Sequence, residues 1–145
     1  MAFGVKRGPR RVRLFTEVLT VALGVEIALR NRSFERVLAE TSDTRQRRRP
    51  VPDIAPGTLD RAIRAAYRVL PFESTCLKHA LVFCRIRRRW GLPAELRIGV
   101  QKTDGVFGAH AWVEDGIGGV LTDPLEGFTA VPLERRSNPG DRATG

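Results

Sequence analysis

The feature that most constrains this chain is a change of hydrophobic period at Gly91-Leu92-Pro93. Before it, apolar residues recur at spacings of three and four; after it, they alternate. The first spacing belongs to a helix with one buried face, the second to a half-buried strand. A chain divided in this way segregates its elements. It places helices first and then a small antiparallel sheet, which defines an α+β fold.

The helical half reads as three main segments. Leu14, Val18, Val21, Val25 and Leu29 form an apolar stripe over 12–30, widened by Leu19, Ala22 and Ala28. Ser33 is placed to cap a short helix through Ala39. From Thr41 to Gly57 the chain is polar and rich in breakers, with Arg45, Arg47, Arg48, Arg49, Pro50, Pro52 and Pro56, and reads as an exposed loop. A second helix over Thr58–Leu70 presents Leu59, Ile63, Ala66, Tyr67 and Leu70 on one face, and Pro71 ends it. The third begins at Ser74 as N-cap and runs to Trp90, where Gly91 stops it and Pro93 prevents its resumption.

In the second half, Leu96, Ile98 and Val100 alternate with Glu95, Arg97 and Gly99 over Ala94–Lys102. Thr103-Asp104-Gly105 is a turn, 106–114 a second strand, Asp115-Gly116 another turn and 118–122 a third strand. The 145 residues suit one compact domain. Residues 1–57 form a helical segment and basic loop of that domain, 58–133 its core, and 134–145 a polar tail.

Charge and termini bound the function classes. Twenty-five Lys+Arg against 16 Asp+Glu give +9, which fits an acidic partner, nucleic acid or anionic lipid, and equally a solvated arginine-rich surface. The chain carries no aromatic stacking motif, helix-turn-helix signature or zinc-ligand spacing, so nothing beyond charge favours nucleic acid, and no metal or cofactor is implied. Lys6 to Arg13 followed by the apolar Leu14–Leu29 imitates a secretory signal. Glu17 and Glu26 interrupt that run, and it is too short and too charged for stable membrane insertion. The expectation is a cytoplasmic protein with an amphipathic first helix, loose membrane-surface contact being left open.

The candidate chemistry starts at a cysteine. Cys76 falls in the first turn of its helix, where unpaired N–H groups and the helix dipole favour a thiolate. Cys84 lies mid-helix among Leu81, Val82, Phe83 and Ile86 and reads as a buried structural thiol. In one helix the two are about 12 Å apart along the axis, too far for a disulfide. Of the two histidines, His110 sits in a strand among small neighbours, Gly108, Ala109 and Ala111. His79, one turn after Cys76, has no evident orienting carboxylate and reads as a partly exposed helix residue. A catalytic histidine needs an acceptor on its second nitrogen. Asp123 closes the third strand, beside His110 if the strands pair through the Asp115-Gly116 turn. Asp104, Glu114 and Asp115 compete for that role, though turn positions explain the two aspartates and a solvent face explains Glu114. The reading is a Cys76–His110–Asp123 set for nucleophilic acyl chemistry.

These residues carry a resemblance. Ser74-Thr75-Cys76-Leu77, then 90–100 (WGLPAELRIGV), then Ala109-His110-Ala111-Trp112-Val113-Glu114 and Asp123-Pro124 resemble the transglutaminase-like, papain-related fold. Within it they are similar to the lasso peptide leader peptidases over roughly 58–133. The resemblance implies a cysteine peptidase that cuts the leader from a ribosomally made precursor peptide. Cys76 would attack, His110 would transfer the proton and Asp123 would hold the imidazole. It also implies two protein partners, a separate small leader-recognition protein and an ATP-dependent lasso cyclase. The Cys76 N–H is a candidate oxyanion donor, and Trp112 either shields the histidine or packs in the core. Two other readings remain: a transglutaminase-like acyltransferase or amidase on the same fold, and a basic nucleic-acid-binding or non-catalytic scaffold protein.

Overall fold

The computed structural model describes residues 8–42, 52–117, 119–122 and 129–131. Four helices precede a three-stranded sheet: α1 (Gly8–Asn31), α2 (Phe34–Ser42), α3 (Pro56–Val69), α4 (Cys76–Arg89), β1 (Glu95–Thr103), β2 (Val106–Glu114) and β3 (Thr129–Val131). The α+β order read from the change of period is the one the chain adopts.

The helices form because each has an apolar face to bury. On α1, Leu14, Val18, Val21, Ala22, Val25 and Ala28 are buried; on α3, Leu59, Ile63, Ala66 and Tyr67. Both faces close on α4, which is buried at Ala80, Leu81, Val82, Phe83, Cys84 and Ile86 and forms the centre of the core. At about 25 cal/mol per Å² of apolar surface, fully burying a side chain such as Phe83 or Leu81 contributes about 1.5–3 kcal/mol.

Local chemistry sets the ends. Ser33 Oγ accepts from the Arg36 N–H at the start of α2. Pro56 opens α3 at a position where its missing N–H costs nothing, and Leu70, ahead of Pro71, is extended at φ −74° and ψ 142°. The α4 cap is Thr75 rather than the expected Ser74. Thr75 is the last extended residue, and its Oγ1 accepts from the Lys78 N–H at 3.2 Å, three residues on, the reach a cap requires. At the other end Gly91 takes φ 74°, with Leu92 N–H donating to Arg87 O (2.9 Å) and Gly91 N–H to Arg88 O (3.0 Å). That is a Schellman stop, built where the sequence placed a glycine.

Asp104 and Gly105 both have positive φ, 51° and 80°, the two-residue turn that suits a twisted hairpin. β1 and β2 pair antiparallel from Glu95↔Glu114 to Thr103↔Val106. The strand order departs from a simple meander. It is β2-β1-β3, with β3 reaching back to pair with β1. The third strand expected over 118–122 is reduced to one bridge, Glu114↔Val120, with Leu121 N–H donating to Val113 O and Val113 N–H to Thr122 Oγ1. The cause is Asp115. Its Oδ1 accepts from the Ile117 and Gly119 N–H groups and folds the chain into a compact turn before it can pair further. The same two donors hold its carboxyl below the ordinary range. The expected third-strand residue Gly118, the Arg45–Arg49 cluster, Asp123 and the 134–145 tail lie outside the described residues.

Candidate active site

Cys76 is the first residue of α4 and is exposed; Cys84 is buried. Burial pushes the Cys84 thiol up despite nearby Arg88, and its Sγ points to Ala94 O at 3.5 Å. Of the two thiols, Cys76 is therefore the one accessible from solvent. The Cys76 and Leu77 N–H groups open the helix and have no intrahelical acceptor, whereas Lys78 N–H is taken by Thr75. A carbonyl oxygen beside the thiol thus has two backbone donors within one turn.

His110 lies mid-strand in β2 and is half-buried. By alternation it shares a face with Trp112 and Glu114, while Ala111 and Val113 enter the core. The imidazole lies close to parallel with the Trp112 ring, centroids 6.1 Å apart and planes at 18°. Trp112 is itself buried, and its Nε1 donates to Glu114 Oε1 at 2.9 Å, while Arg97 Nε donates to Glu114 Oε2 at 3.1 Å. Glu114 is therefore not a plain solvent-face residue; it holds the indole that flanks the histidine. Opposite His110 in the ladder stands Gly99, so the cross-strand position on that face carries no side chain.

The helix and strand share one frame. α4 packs on β2, and both end at the same side of the fold, where Cys84 Sγ and Arg88 Nε reach Ala94 O and Arg87 Nε reaches Pro93 O. Among the described residues the Cys76 thiol forms no hydrogen bond. The 119–122 segment runs along the outer edge of β2 toward its His110 end, and Asp123 follows it outside the described residues.

One expectation is corrected. His79 does have a carboxylate: its Nε2 lies 2.6 Å from Asp60 Oδ1, across the α3–α4 contact. It is half-buried, in line with a partly exposed helix residue, and burial pulls its pKa below the ordinary value even though Asp60 acts to raise it. Nineteen residues separate the pair, so no local spacing announced it. Sequence reading also missed Gly99 as the residue facing His110, although pairing outward from the Asp104-Gly105 turn would have found it.

Among the described residues no cluster of His, Cys, Asp and Glu is placed to hold a metal ion, and no helix is long and apolar enough to cross a membrane. An exposed cysteine opening a central helix, packed on an antiparallel sheet that carries a histidine, defines a protein of the cysteine-protease and acyltransferase type of fold. Residues 18–132 match the transglutaminase-like superfamily, and the chain belongs to that superfamily, which includes cysteine peptidases. No curated protein and no solved structure matches it.

Proposed function

We propose that this chain is a cysteine peptidase that removes the leader from a ribosomally synthesised lasso peptide precursor. The observation that carries the reading is the exposed Cys76 at the start of α4, which packs on the strand bearing Gly108–Glu114 with His110. The superfamily match supports the chemistry, and the similarity of 90–100 and 109–114 to leader peptidases supports the substrate.

In this mechanism Cys76 Sγ attacks the scissile carbonyl as His110 takes the thiol proton. His110 returns that proton to the leaving amine, which departs with the core peptide. Water, losing a proton to His110, then hydrolyses the thioester; the leader leaves as a carboxylate and Cys76 is restored. Asp123 holds the imidazole, and the Cys76 and Leu77 N–H groups receive the developing oxyanion. This mechanism requires the thiol and imidazole to come into hydrogen-bond contact when substrate is bound. A separate leader-recognition protein would deliver the substrate by raising its local concentration. An ATP-dependent cyclase would consume the freed amine.

The test is to incubate the protein with its precursor peptide, with and without the recognition protein, and weigh the products. Wild type and Cys84→Ala should release intact leader and core, whereas Cys76→Ala, His110→Ala and Asp123→Ala should lose at least about a thousandfold in rate. Transfer of the leader acyl group to an added amine in place of hydrolysis would instead identify an acyltransferase. Cleavage by Cys76→Ala at the wild-type rate would sink the assignment.

A further inference from the structure

Lys78 is an unusual choice for its place. It is the third residue of α4, where the positive end of the helix dipole disfavours a cation by about 0.3–1 kcal/mol, and the first turn holds no acidic residue to offset it. It is also largely buried, with its side chain 17 % exposed. A residue that breaks a local rule beside a candidate nucleophile points to a role in the site.

Its contacts define that role. The Lys78 ammonium lies 2.8 Å from Oε2 of Glu26, a carboxylate buried on α1. This is an ion contact without an aligned hydrogen bond at Oε2. Glu26 Oε1 also receives Arg30 Nε at 3.2 Å, and Arg30 stands over the Phe72 ring at 5.3 Å. The same ammonium donates to Glu73 O at 3.1 Å, in the connection that leads into Cys76, while the Lys78 backbone N–H donates to the Thr75 cap. From α3, buried Tyr67 feels the Glu26 charge and is pushed up to about 12, chiefly by burial. His79, Asp60 and Arg64 occupy the next position along α4 and its α3 contact. One side chain thus joins α1, the 70–75 connection and the start of α4.

We propose that Lys78, anchored on Glu26, is a positioning residue for Cys76: it fixes the turn that presents the thiol and its two flanking N–H donors, and it sets the charge those groups feel. The proposal rests on Cys76 being the nucleophile. An ion pair buried for stability alone is a poor stabiliser, because desolvation offsets most of its attraction. This pair sits where its geometry bears on the reacting turn.

The test reads Cys76 itself, by peptide-resolved mass spectrometry of iodoacetamide labelling across pH, with thermal unfolding as a fold control. Lys78→Met should slow Cys76 labelling at pH 7 by about fivefold and shift its profile to higher pH. Lys78→Arg should stay within about twofold of wild type, since it keeps a cation of similar reach. Glu26→Gln leaves the cation without its counter-charge and should move the profile the other way, to lower pH. A merely structural pair would move both variants together or neither. With folded protein, a wild-type profile in Lys78→Met overturns the proposal. If Lys78→Met does not fold, an unshifted or upward-shifted profile in Glu26→Gln overturns it. Labelling needs no peptide substrate, so failure of leader cleavage in wild type would count against the proposed function and leave this result standing on its own.

Discussion

The two sides of the candidate site are built differently. The Cys76 turn belongs to a helix buried on most of its surface and tied to α1 by Lys78–Glu26 and to α3 by His79–Asp60. The His110 strand is half of a hairpin whose tip exposes Val106 and Phe107, and its ring is placed by an adjacent indole, a carboxylate and an empty glycine position. The contrast teaches that the proposed nucleophile and its proposed base need not share a scaffold. One is fixed by core packing, the other by a ladder and a few polar contacts on the face away from the core.

The largest expected effect attacks the packed side. Phe83→Ala, at a fully buried position on α4, should cost about 3–5 kcal/mol, read as a lower denaturant midpoint. If the loss is under about 1 kcal/mol, α4 is not the structural centre. Next comes a test of the strand side through activity. Gly99→Val puts a β-branched side chain beside His110 and should lower the peptide-cleavage rate by about a hundredfold, while the far-ultraviolet spectrum stays native. An unchanged rate would mean that the empty position plays no part in placing the ring. Thr75→Ala should cost about 1 kcal/mol through the lost cap, against almost nothing for Ser74→Ala; equal costs would place the cap wrongly.

The His79–Asp60 tie adds a smaller, pH-dependent contribution. Because burial holds the His79 pKa below its ordinary value of 6.5, the neutral imidazole is favoured in the fold. The linked stability is fully present above pH 6.5 and is lost as pH falls through the lower folded value. Melting temperature should therefore drop more steeply between pH 7 and 5 in wild type than in His79→Gln. The opposite slope would show that Asp60 attraction outweighs burial. The smallest effect belongs at the hairpin tip, where Phe107→Ser should change stability by about 0.5 kcal/mol or less.

What was legible in the sequence followed from local chemistry. Apolar spacing marked the helical faces of α1 and α3: ten of the thirteen residues named for them are buried, and Leu19, Leu29 and Leu70 are half-buried. Gly91, Asp104 and Gly105 announced the stop and the turn through the backbone geometry they permit. Cys84 declared itself by its apolar neighbours. What stayed hidden was non-local. Glu26 reads in sequence as an interruption of an apolar run, yet it is buried because Lys78, far along the chain, meets it. Asp60 and His79 are concealed in the same way. β3 has three residues, too few to show an alternation, and its partner is β1 rather than its nearest neighbour in sequence. For the candidate site, Cys76 at an exposed helix start and His110 on a strand were legible, whereas the groups that hold them were not.

The Lys78–Glu26 contact also bears on the order in which this protein is made. The two residues are 52 positions apart (78 − 26), and His110 comes 34 positions after Cys76 (110 − 76). Chains emerge from the ribosome N-terminus first and fold by units as they appear. The Cys76 thiol therefore emerges before the strand that carries His110, and its turn is fixed only once α1 and α4 have met. On the proposed reading, a nascent chain at that stage carries the thiol without the imidazole, so the acyl chemistry waits until the sheet is made.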